Sequence, residues 1–451
     1  MKMNRRKWIC LYGLLALVMP LFAQQYTVRG GNGEPMLAAD ETSYKLQVYV
    51  VNGVEDVTLS YTSSSTSHQW KKYRTRALEA EDISCQQEGN TSTLTNVEEG
   101  CGYFVYEEGS LTYYVWIIDY AKHPFIINTL SVSDSNDPCS GALLKGDREI
   151  ENLTYYLPTG IPQSLEREFQ VTYNTLEWDE ESKSLNPIIQ TQTLNRPFEE
   201  LIGPIYTDTD ITLSGDQFAE HFGVTQQATL DYYETSQLFL EADTVVIAEE
   251  ADNMSAQGEG LSAPVTVRFT AYANEPTAAY YVWSIYREED GSENPLVRLS
   301  EPEVEYTFNE YGKFKAVVEV SNASGSCYTS SEEFELDVAE SYLDVPNAFS
   351  PGTTPGVNDE FRVAYKSLVR FSCWIFNRWG QEIYHWTNPA TGWDGKKNGK
   401  YVAPGVYFYV IEAEGSDGRR YKRKGDINIL RPKNEKNFES SGSTDTEGGT
   451  L

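Results

Sequence analysis

The residues best able to do chemistry are few and widely separated in this sequence. The four histidines, His68, His123, His221 and His385, lie in different regions of the chain. A zinc protease needs two histidines one helical turn apart, and a serine hydrolase needs its nucleophile on a tight strand-to-helix turn. Neither motif is present, and the many acidic residues single out no pair. We therefore expect a non-enzymatic protein that uses no cofactor and no metal.

The six cysteines indicate an oxidising compartment more than a reaction. Cys85 and Cys101 are close in sequence and are predicted to share a domain, which makes them candidates for a disulfide. Cys139, Cys327 and Cys373 lie in three separate regions, where we expect small core residues. No cysteine spacing suits zinc.

The N-terminus has the three parts of a secretory signal peptide. Residues 1–7 are basic, residues 9–22 are apolar, and the small residue Ala23 follows. The apolar run is shorter than the ~20 residues that a membrane helix needs. Cys10 lies at the start of this run, whereas a lipidated cysteine would lie at its end, which argues against a lipid anchor. We predict that residues 1–23 are removed and that the chain is exported to the periplasm.

Composition predicts a large, multidomain, all-β protein. A chain of 451 residues is too long for a single hydrophobic core. It contains 31 Tyr, 18 Phe and 9 Trp, and aromatic and β-branched residues favour strands with one buried face. The net charge of −31 argues against nucleic acid as a partner.

Short alternating runs divide the first half of the chain into two β-rich parts. Residues 45–50 and 102–106 alternate with period two, and together with Trp70 they predict an immunoglobulin-like sandwich over residues 24–137. Residues 138–261 are predicted to form a β-rich domain of uncertain type. This architecture indicates no ligand by itself.

Residues 262–342 have a more specific pattern. A strand with Trp283 precedes a Tyr-x-Phe strand at 306–308, and a glycine turn leads into a strand that ends at Asn322 and Gly325. This order resembles the PKD (polycystic-kidney-disease-type) domain. The resemblance implies a β-sandwich that acts as a spacer or adhesive module. Asn322 and Gly325 need only form a turn.

The most specific motifs lie near the C-terminus, where turn residues separate aromatic strands. In order they are Pro346, Asn347, Phe349, Pro351, Asn358, Asp359, Asn377, Arg378, Trp379, Gly380, Trp393, Asp394, Gly395, Gly405, Tyr407 and Tyr409. Over residues 343–431 this series resembles the type B sorting domain of type IX secretion, also called the gliding-motility-associated C-terminal domain. The resemblance implies an antiparallel β-sandwich that outer-membrane machinery recognises as a whole domain.

Two of these motifs have both a structural and a recognition interpretation. Arg378 beside Trp379 allows a cation–π contact or a contact with a partner, and the segment 393–395 has the same two interpretations. One loop departs from the family pattern, because residues 352–357 replace an acidic segment. A cation site in that loop is therefore not expected.

The C-terminal domain is basic in an otherwise acidic chain. Residues 343–431 contain 13 Lys and Arg against 9 Asp and Glu, a net of +4, so the remainder carries −35. The strongest basic run consists of Arg419, Arg420, Lys422, Arg423 and Lys424. This run is suited either to docking on an acidic partner or anionic surface polysaccharide, or to protecting an edge strand from aggregation.

The predicted fold is a tandem array of immunoglobulin-like and PKD-like β-sandwiches with a C-terminal antiparallel β-sandwich sorting domain. Residues 432–451 are too poor in apolar side chains to fold. Three functions remain open. The chain is a non-enzymatic protein delivered to the outer membrane or cell surface, or a resident type IX component that docks another envelope protein. The third is a carbohydrate-active enzyme within residues 138–255.

Overall fold

Strands dominate because apolar and polar residues alternate, so that one face of each strand is buried and the other meets water. In the strand Val265–Ala273, for example, Val265, Val267 and Phe269 are buried and the residues between them are partly exposed. The computed structural model describes residues 26–107, 110–249, 260–353 and 356–430. The predicted signal peptide and the tail 432–451 lie outside these residues.

The first eighteen strands, in chain order, are β1 (Tyr26–Arg29), β2 (Met36–Glu41), β3 (Leu46–Val51), β4 (Thr58–Thr62), β5 (Gln69–Tyr73), β6 (Glu81–Ile83), β7 (Gln86–Glu88), β8 (Thr91–Leu94), β9 (Cys101–Glu107), β10 (Ser110–Asp119), β11 (Leu130–Val132), β12 (Leu144–Gly146), β13 (Leu153–Tyr156), β14 (Pro162–Leu165), β15 (Phe169–Asp179), β16 (Ser184–Leu194), β17 (Thr209–Asp216) and β18 (Gln227–Tyr233). Helix α1 spans Gln217–His221. Single 3-10 turns lie at Thr42–Tyr44, Val54–Asp56, Ala77–Glu79 and Tyr120–Lys122.

The later strands are β19 (Leu240–Glu249), β20 (Val265–Ala273), β21 (Tyr280–Arg287), β22 (Val297–Leu299), β23 (Glu303–Phe308), β24 (Gly312–Ser321), β25 (Tyr328–Ser330), β26 (Phe334–Val338), β27 (Tyr342–Asp344), β28 (Ala348–Phe349), β29 (Ala364–Lys366), β30 (Leu368–Phe376), β31 (Glu382–Trp386), β32 (Lys396–Lys397), β33 (Lys400–Tyr401), β34 (Gly405–Gly415) and β35 (Arg420–Ile429). No helix among the described residues is long and apolar enough to cross a membrane.

The chain divides into two compact units. Of the described residues, the first unit contains 26–175 and 188–234, and the second contains 176–187 and those from 235 onward. The first unit begins with a sandwich of two sheets, ordered β1-β4-β8-β7 and β2-β3-β10-β9-β5-β6. Trp70, Tyr26 and Tyr61 fill the space between these sheets. The predicted all-β sandwich architecture is confirmed here.

The rest of the first unit is a second β domain. Its main sheet has the order β16-β15-β17-β18, and the pairs β11–β12 and β13–β14 accompany it. Phe125, Phe169 and Ile211 belong to its core. Asp216 accepts a hydrogen bond from the N–H of Ala219 at 2.9 Å and so caps α1.

The second unit starts with another sandwich, built from the sheets β19-β20-β23 and β22-β21-β24-β25, with β26 also paired to β24. Trp283 is fully buried and lies 5.4 Å from Phe269, ring centre to ring centre. Strand β19 pairs with β20 along most of its length. This sandwich therefore starts before residue 262, where the sequence pattern places its boundary.

The C-terminal domain has one five-stranded sheet in the order β28-β35-β34-β30-β31. Its pairs are antiparallel except β28 with β35, which is parallel. Phe361, Tyr365, Cys373 and Trp393 belong to a core of its own. The two-stranded pairs β27–β29 and β32–β33 complete the domain.

The predicted disulfide between Cys85 and Cys101 is wrong and Cys139 is only partly buried, whereas Cys327 and Cys373 are buried as predicted. Cys85 and Cys101 are free thiols, because Cys101 starts the interior strand β9 whereas Cys85 connects β6 to β7, which are edge strands of different sheets. Cys139 and Cys327 are each disulfide-bonded. Both lie in turns, where a side-chain oxygen of Asp137 or Asn322 accepts the cysteine N–H. Cys373 is a buried core thiol, as predicted.

This cysteine arrangement predicts a labelling pattern. Alkylation of the unfolded but unreduced protein is expected to label Cys85, Cys101 and Cys373, whereas Cys139 and Cys327 should react only after reduction. Peptide mass spectrometry measures both sets. Labelling of Cys139 or Cys327 before reduction would contradict the arrangement.

Candidate docking surface of the C-terminal domain

Several aromatic residues among the predicted recognition residues pack in or against the core of the C-terminal domain. Trp393 is fully buried, with its ring centre 5.6 Å from that of Phe349 and 5.5 Å from that of Tyr407. Its indole N–H donates to the carbonyl of Lys396 at 2.8 Å. Tyr409 lies 5.9 Å from Phe361, ring centre to ring centre. These aromatic residues are therefore placed to hold the sandwich together.

The polar residues of the motifs hold turns. The carboxylate of Asp359 accepts the N–H groups of Gly352 and Gly356 at 2.9 and 2.6 Å, which closes the loop that lacks the family's acidic segment. Asn347 accepts the N–H of Asn428 at 2.9 Å through its carbonyl, which ties β28 to β35. Neither role requires a bound cation.

Two further polar residues of the motifs also accept hydrogen bonds from backbone N–H groups in turns and loops. Asp394 accepts the N–H of Lys396 at 3.0 Å, and the carbonyl of Asn358 accepts the N–H of Ser350 at 2.8 Å. Pro351 and Gly395 are buried, Gly380 lies at the tip of the β30–β31 hairpin, Pro346 is partly buried, and Gly405 is exposed at the start of β34. Gly395 has a φ of +76°, and a Cβ at this position would lie 2.8 Å from Pro351.

One predicted pair, Arg378 and Trp379, is exposed to solvent. Asn377 accepts the N–H groups of Trp379 and Gln381, each at 3.0 Å, and so closes the tip of the β30–β31 hairpin. Trp379 is 76% exposed, and the guanidinium of Arg378 lies 4.4 Å from its ring centre. An exposed tryptophan in contact with arginine is available to a partner.

The basic run lies on strand β35 and on the residue that precedes it. Tyr421 is buried, whereas Arg420, Lys422, Arg423 and Lys424 are exposed. Tyr421 therefore points into the core, while the basic side chains on either side of it meet solvent. Arg419 lies in the preceding turn, 3.9 Å from Asp417.

Cross-strand carboxylates pair with part of this run. Lys422 lies 3.2 Å from Glu412, and Arg420 lies 3.9 Å from Glu414. Surface pairs of this kind contribute at most about 1 kcal/mol. Among the described residues no acidic side chain forms an ion pair with Lys424, which lies opposite Val410. The outer face of β35 therefore remains basic.

An apolar stripe beside the basic run was not predicted. On the outer face of β34, Val406, Phe408 and Val410 are 48%, 44% and 38% exposed. Trp374 lies opposite Val410 on β30, and its ring stacks on His385 at 4.9 Å. The sequence pattern that could have predicted this stripe is the uninterrupted apolar run 406–411, because a strand formed by such a run is apolar on both faces.

The one histidine close to both serine and glutamate among the described residues is not arranged for nucleophilic catalysis. Ser63 donates its hydroxyl proton to Glu107 at 2.6 Å, so Ser63 accepts a hydrogen bond from Nε2 of His68 at 2.9 Å, and Nε2 carries a proton. On the other side of the ring, Nδ1 lies 2.7 Å from the hydroxyl of Ser92, which also accepts from Trp70 at 2.8 Å. A histidine that donates to the serine cannot accept its proton.

The other histidines are also placed in structural contacts. His123 lies 2.9 Å from Glu99 and 3.1 Å from Glu151. Burial lowers the pKa of His123, but the two carboxylates outweigh that effect and raise it above its usual value. His221 contacts the carbonyl of Glu34 at 2.7 Å. The described residues contain no cluster suited to a metal ion.

A cleft of about 1050 Å³ in the second β domain is lined by several carboxylates. Glu199 is exposed and pairs with Arg196 at 3.1 Å. Glu200 accepts the N–H groups of Asn195 and Arg196 at 3.0 and 2.5 Å. Both carboxylates thus hold their own loop, and neither is placed as one of two facing acid and base groups.

Comparison with known proteins identifies three of the domains. Residues 131–230 match the fibronectin type III domain, residues 253–332 match the PKD domain, and residues 343–429 match the CHU_C type IX secretion signal domain. The predicted PKD-like and type IX domains are thereby confirmed. The match at 131–230 gives a type to the β-rich part whose type the sequence left uncertain. These matches support an exported protein associated with type IX secretion.

No curated relative matches the chain. The similar solved structures include the crystal structure of a tetra-tandem repeat in the extending region of a large adhesion protein. It is 10% identical, the alignment covers 85% of this chain and 99% of that chain, and the TM-score is 0.20. A likeness this weak adds nothing to the assignment.

Proposed function

We propose that the protein is a non-enzymatic component of the bacterial envelope, addressed to the outer membrane or cell surface through its C-terminal domain. The observation that carries this proposal is the match of residues 343–429 to the type IX secretion signal domain. The structure supports it in one respect, because that segment has a hydrophobic core of its own. Such a domain presents a folded surface to the machinery.

In this proposal the upstream sandwiches are spacer or binding modules. Two of them match the fibronectin type III domain and the PKD domain. In the first sandwich, His68 donates a hydrogen bond to Ser63 and so is not oriented to accept the serine's proton. The C-terminal partner is type IX machinery or another envelope protein. The basic outer face of β35 and the exposed Arg378–Trp379 tip are the parts of the domain best placed to meet it.

The proposal is tested by fusing the C-terminal domain to another protein and asking whether the fusion is secreted. Residues 340–451 are fused to an exported reporter, so that Ser341 keeps its hydrogen bond to Tyr421. Protease shaving of intact cells is expected to reach the reporter only when the type IX system is present. The full chain lacking residues 343–451 should stay in the periplasm. Equal surface exposure with and without these residues, or with and without the secretion system, would refute the proposal.

A further inference from the structure

Strand β35 has one edge paired with β34 and another edge that is largely open. Strand β28 pairs with β35 only at Asn428 and Ile429. The N–H of Asn428 donates to Asn347 at 2.9 Å, and that of Leu430 donates to Phe349 at 3.0 Å. Among the described residues no strand pairs with this side of residues 420–426. Seven residues of strand edge, roughly 24 Å at 3.4 Å per residue, are therefore open to a partner.

The register determines which backbone groups face this open edge. In an antiparallel pair, alternate residues bond to the partner strand and the others point away from it. The N–H of Asn428 points to β28, and the pairing of β35 with β34 has no register shift. The N–H groups of Lys424 and Lys422, two and three pairs of residues earlier, therefore point to the same side as that of Asn428. The residues between them, such as Arg423, bond to β34. The open edge thus presents the N–H and C=O groups of Arg420, Lys422, Lys424 and Asp426.

The side chains of three of these residues make the edge basic. Arg420, Lys422 and Lys424 project from the outer face, because the alternate residues Tyr421 and Ile427 are buried in the core. An added strand would place its own side chains about 4.5–5.5 Å from this row. Opposite charges in such positions stabilise pairing and like charges oppose it.

We propose that the open edge of β35 takes an extended acidic segment of the envelope partner as an added β-strand. The proposal rests on the proposed function, since it specifies how the C-terminal domain docks. Backbone hydrogen bonds to residues 420–426 give affinity, and acidic side chains at alternate positions of the segment give specificity. A second copy of this chain is a poor occupant, because two β35 edges would set their basic rows against each other.

One substitution separates strand addition from simple charge attraction. Lys424→Pro removes a backbone N–H that points to the open edge and leaves the bonds to β34 intact, so an edge strand can tolerate it. Lys424→Gln removes the same charge but keeps the N–H. The probe is a fluorescent seven-residue peptide with glutamate at alternate positions, titrated against the full-length protein. Lys424→Pro is expected to weaken binding about tenfold or more, and Lys424→Gln about two- to fivefold.

Equal weakening by Lys424→Pro and Lys424→Gln would overturn strand addition. A second measurement uses the wild-type chain and so does not depend on the folding of the variant. A peptide N-methylated at the alternate amides that would face β35 should lose binding, whereas a peptide N-methylated at the other amides should still bind. Equal binding of the two methylated peptides would also overturn the proposal. Concentration-dependent self-association that Lys424→Pro abolishes would make a second copy the occupant and refute the acidic partner.

Measuring the surface exposure of the full chain and its variants in cells distinguishes failure of this inference from failure of the proposed function. With the type IX system present, surface exposure of the full chain should fall more for Lys424→Pro than for Lys424→Gln. If the wild-type chain is not delivered at all, the proposed function fails, and the peptide titration still decides whether the edge accepts a strand. If the wild-type chain is delivered but the variants and the peptide show no edge effect, only the strand-addition inference fails.

Discussion

Trp393→Ala is expected to destabilise the C-terminal domain by about 3–5 kcal/mol. The side chain is fully buried, packs against Phe349 and Tyr407, and donates its N–H to Lys396. A domain of about 90 residues is stable by roughly 5–13 kcal/mol in total. The substitution therefore removes a large part of its stability, and surface delivery should fall because the domain unfolds. Urea unfolding of residues 340–451 measures the loss.

Trp379→Ala is the matched control, since the same residue type is 76% exposed at the hairpin tip. We expect a change within about 0.5 kcal/mol. If Trp379→Ala leaves the domain folded yet reduces delivery, the tip contacts the partner. Comparable destabilisation by the two substitutions would contradict the placement of Trp393 in the core and Trp379 at the surface.

Arg167→Ala is expected to destabilise the first unit by about 3–5 kcal/mol. Arg167 and Asp216 form an ion pair at 2.5 Å with side chains only 3% and 0% exposed. The guanidinium also lies 5.8 and 5.5 Å from the ring centres of Tyr120 and Phe169. Its removal leaves the carboxylate of Asp216 buried without a counter-charge. Thermal unfolding, followed by circular dichroism, measures the loss.

Two further variants test this explanation. Arg196→Ala breaks a pair whose side chains are 73% and 69% exposed, so it should change stability by no more than about 1 kcal/mol. Combining Arg167→Leu with Asp216→Asn removes both charges and keeps an oxygen that can cap α1, so most of the stability should return. A double variant as unstable as Arg167→Ala would show that packing of the arginine, and not the unpaired carboxylate, accounts for the loss.

The sequence was sufficient for the fold class because period-two alternation is a local property. The strand at residues 45–50 was visible in this way, and short motifs with fixed turn residues were enough to indicate the PKD-like and type IX domains. The placement of strand β19 was not visible. Its residues 240–249 are a plausible strand in either neighbouring domain, and only the pairing with β20 decides between them.

The tertiary structure decided which motif residues a partner can reach. Trp379 and Trp393 both lie in turn-rich motifs of similar composition, yet one is at a hairpin tip and the other closes the core. Exposure depends on what other strands cover, and a local pattern contains no information on that. The cysteines show the same limit, because Cys85 and Cys101 are near each other in sequence, yet Cys85 lies between two edge strands and Cys101 begins the interior strand β9.

The sequence by itself determined that this protein is an all-β, multidomain, acidic chain with a basic C-terminal domain of the type IX secretion type. These properties follow from composition, periodicity and motifs that lie within short stretches. Only the tertiary structure decided that β35 has an open edge and that Lys424 directs its backbone N–H outward. Strand order and register arise from pairing between distant segments, since β28 reaches no further along β35 than Asn428 and Ile429.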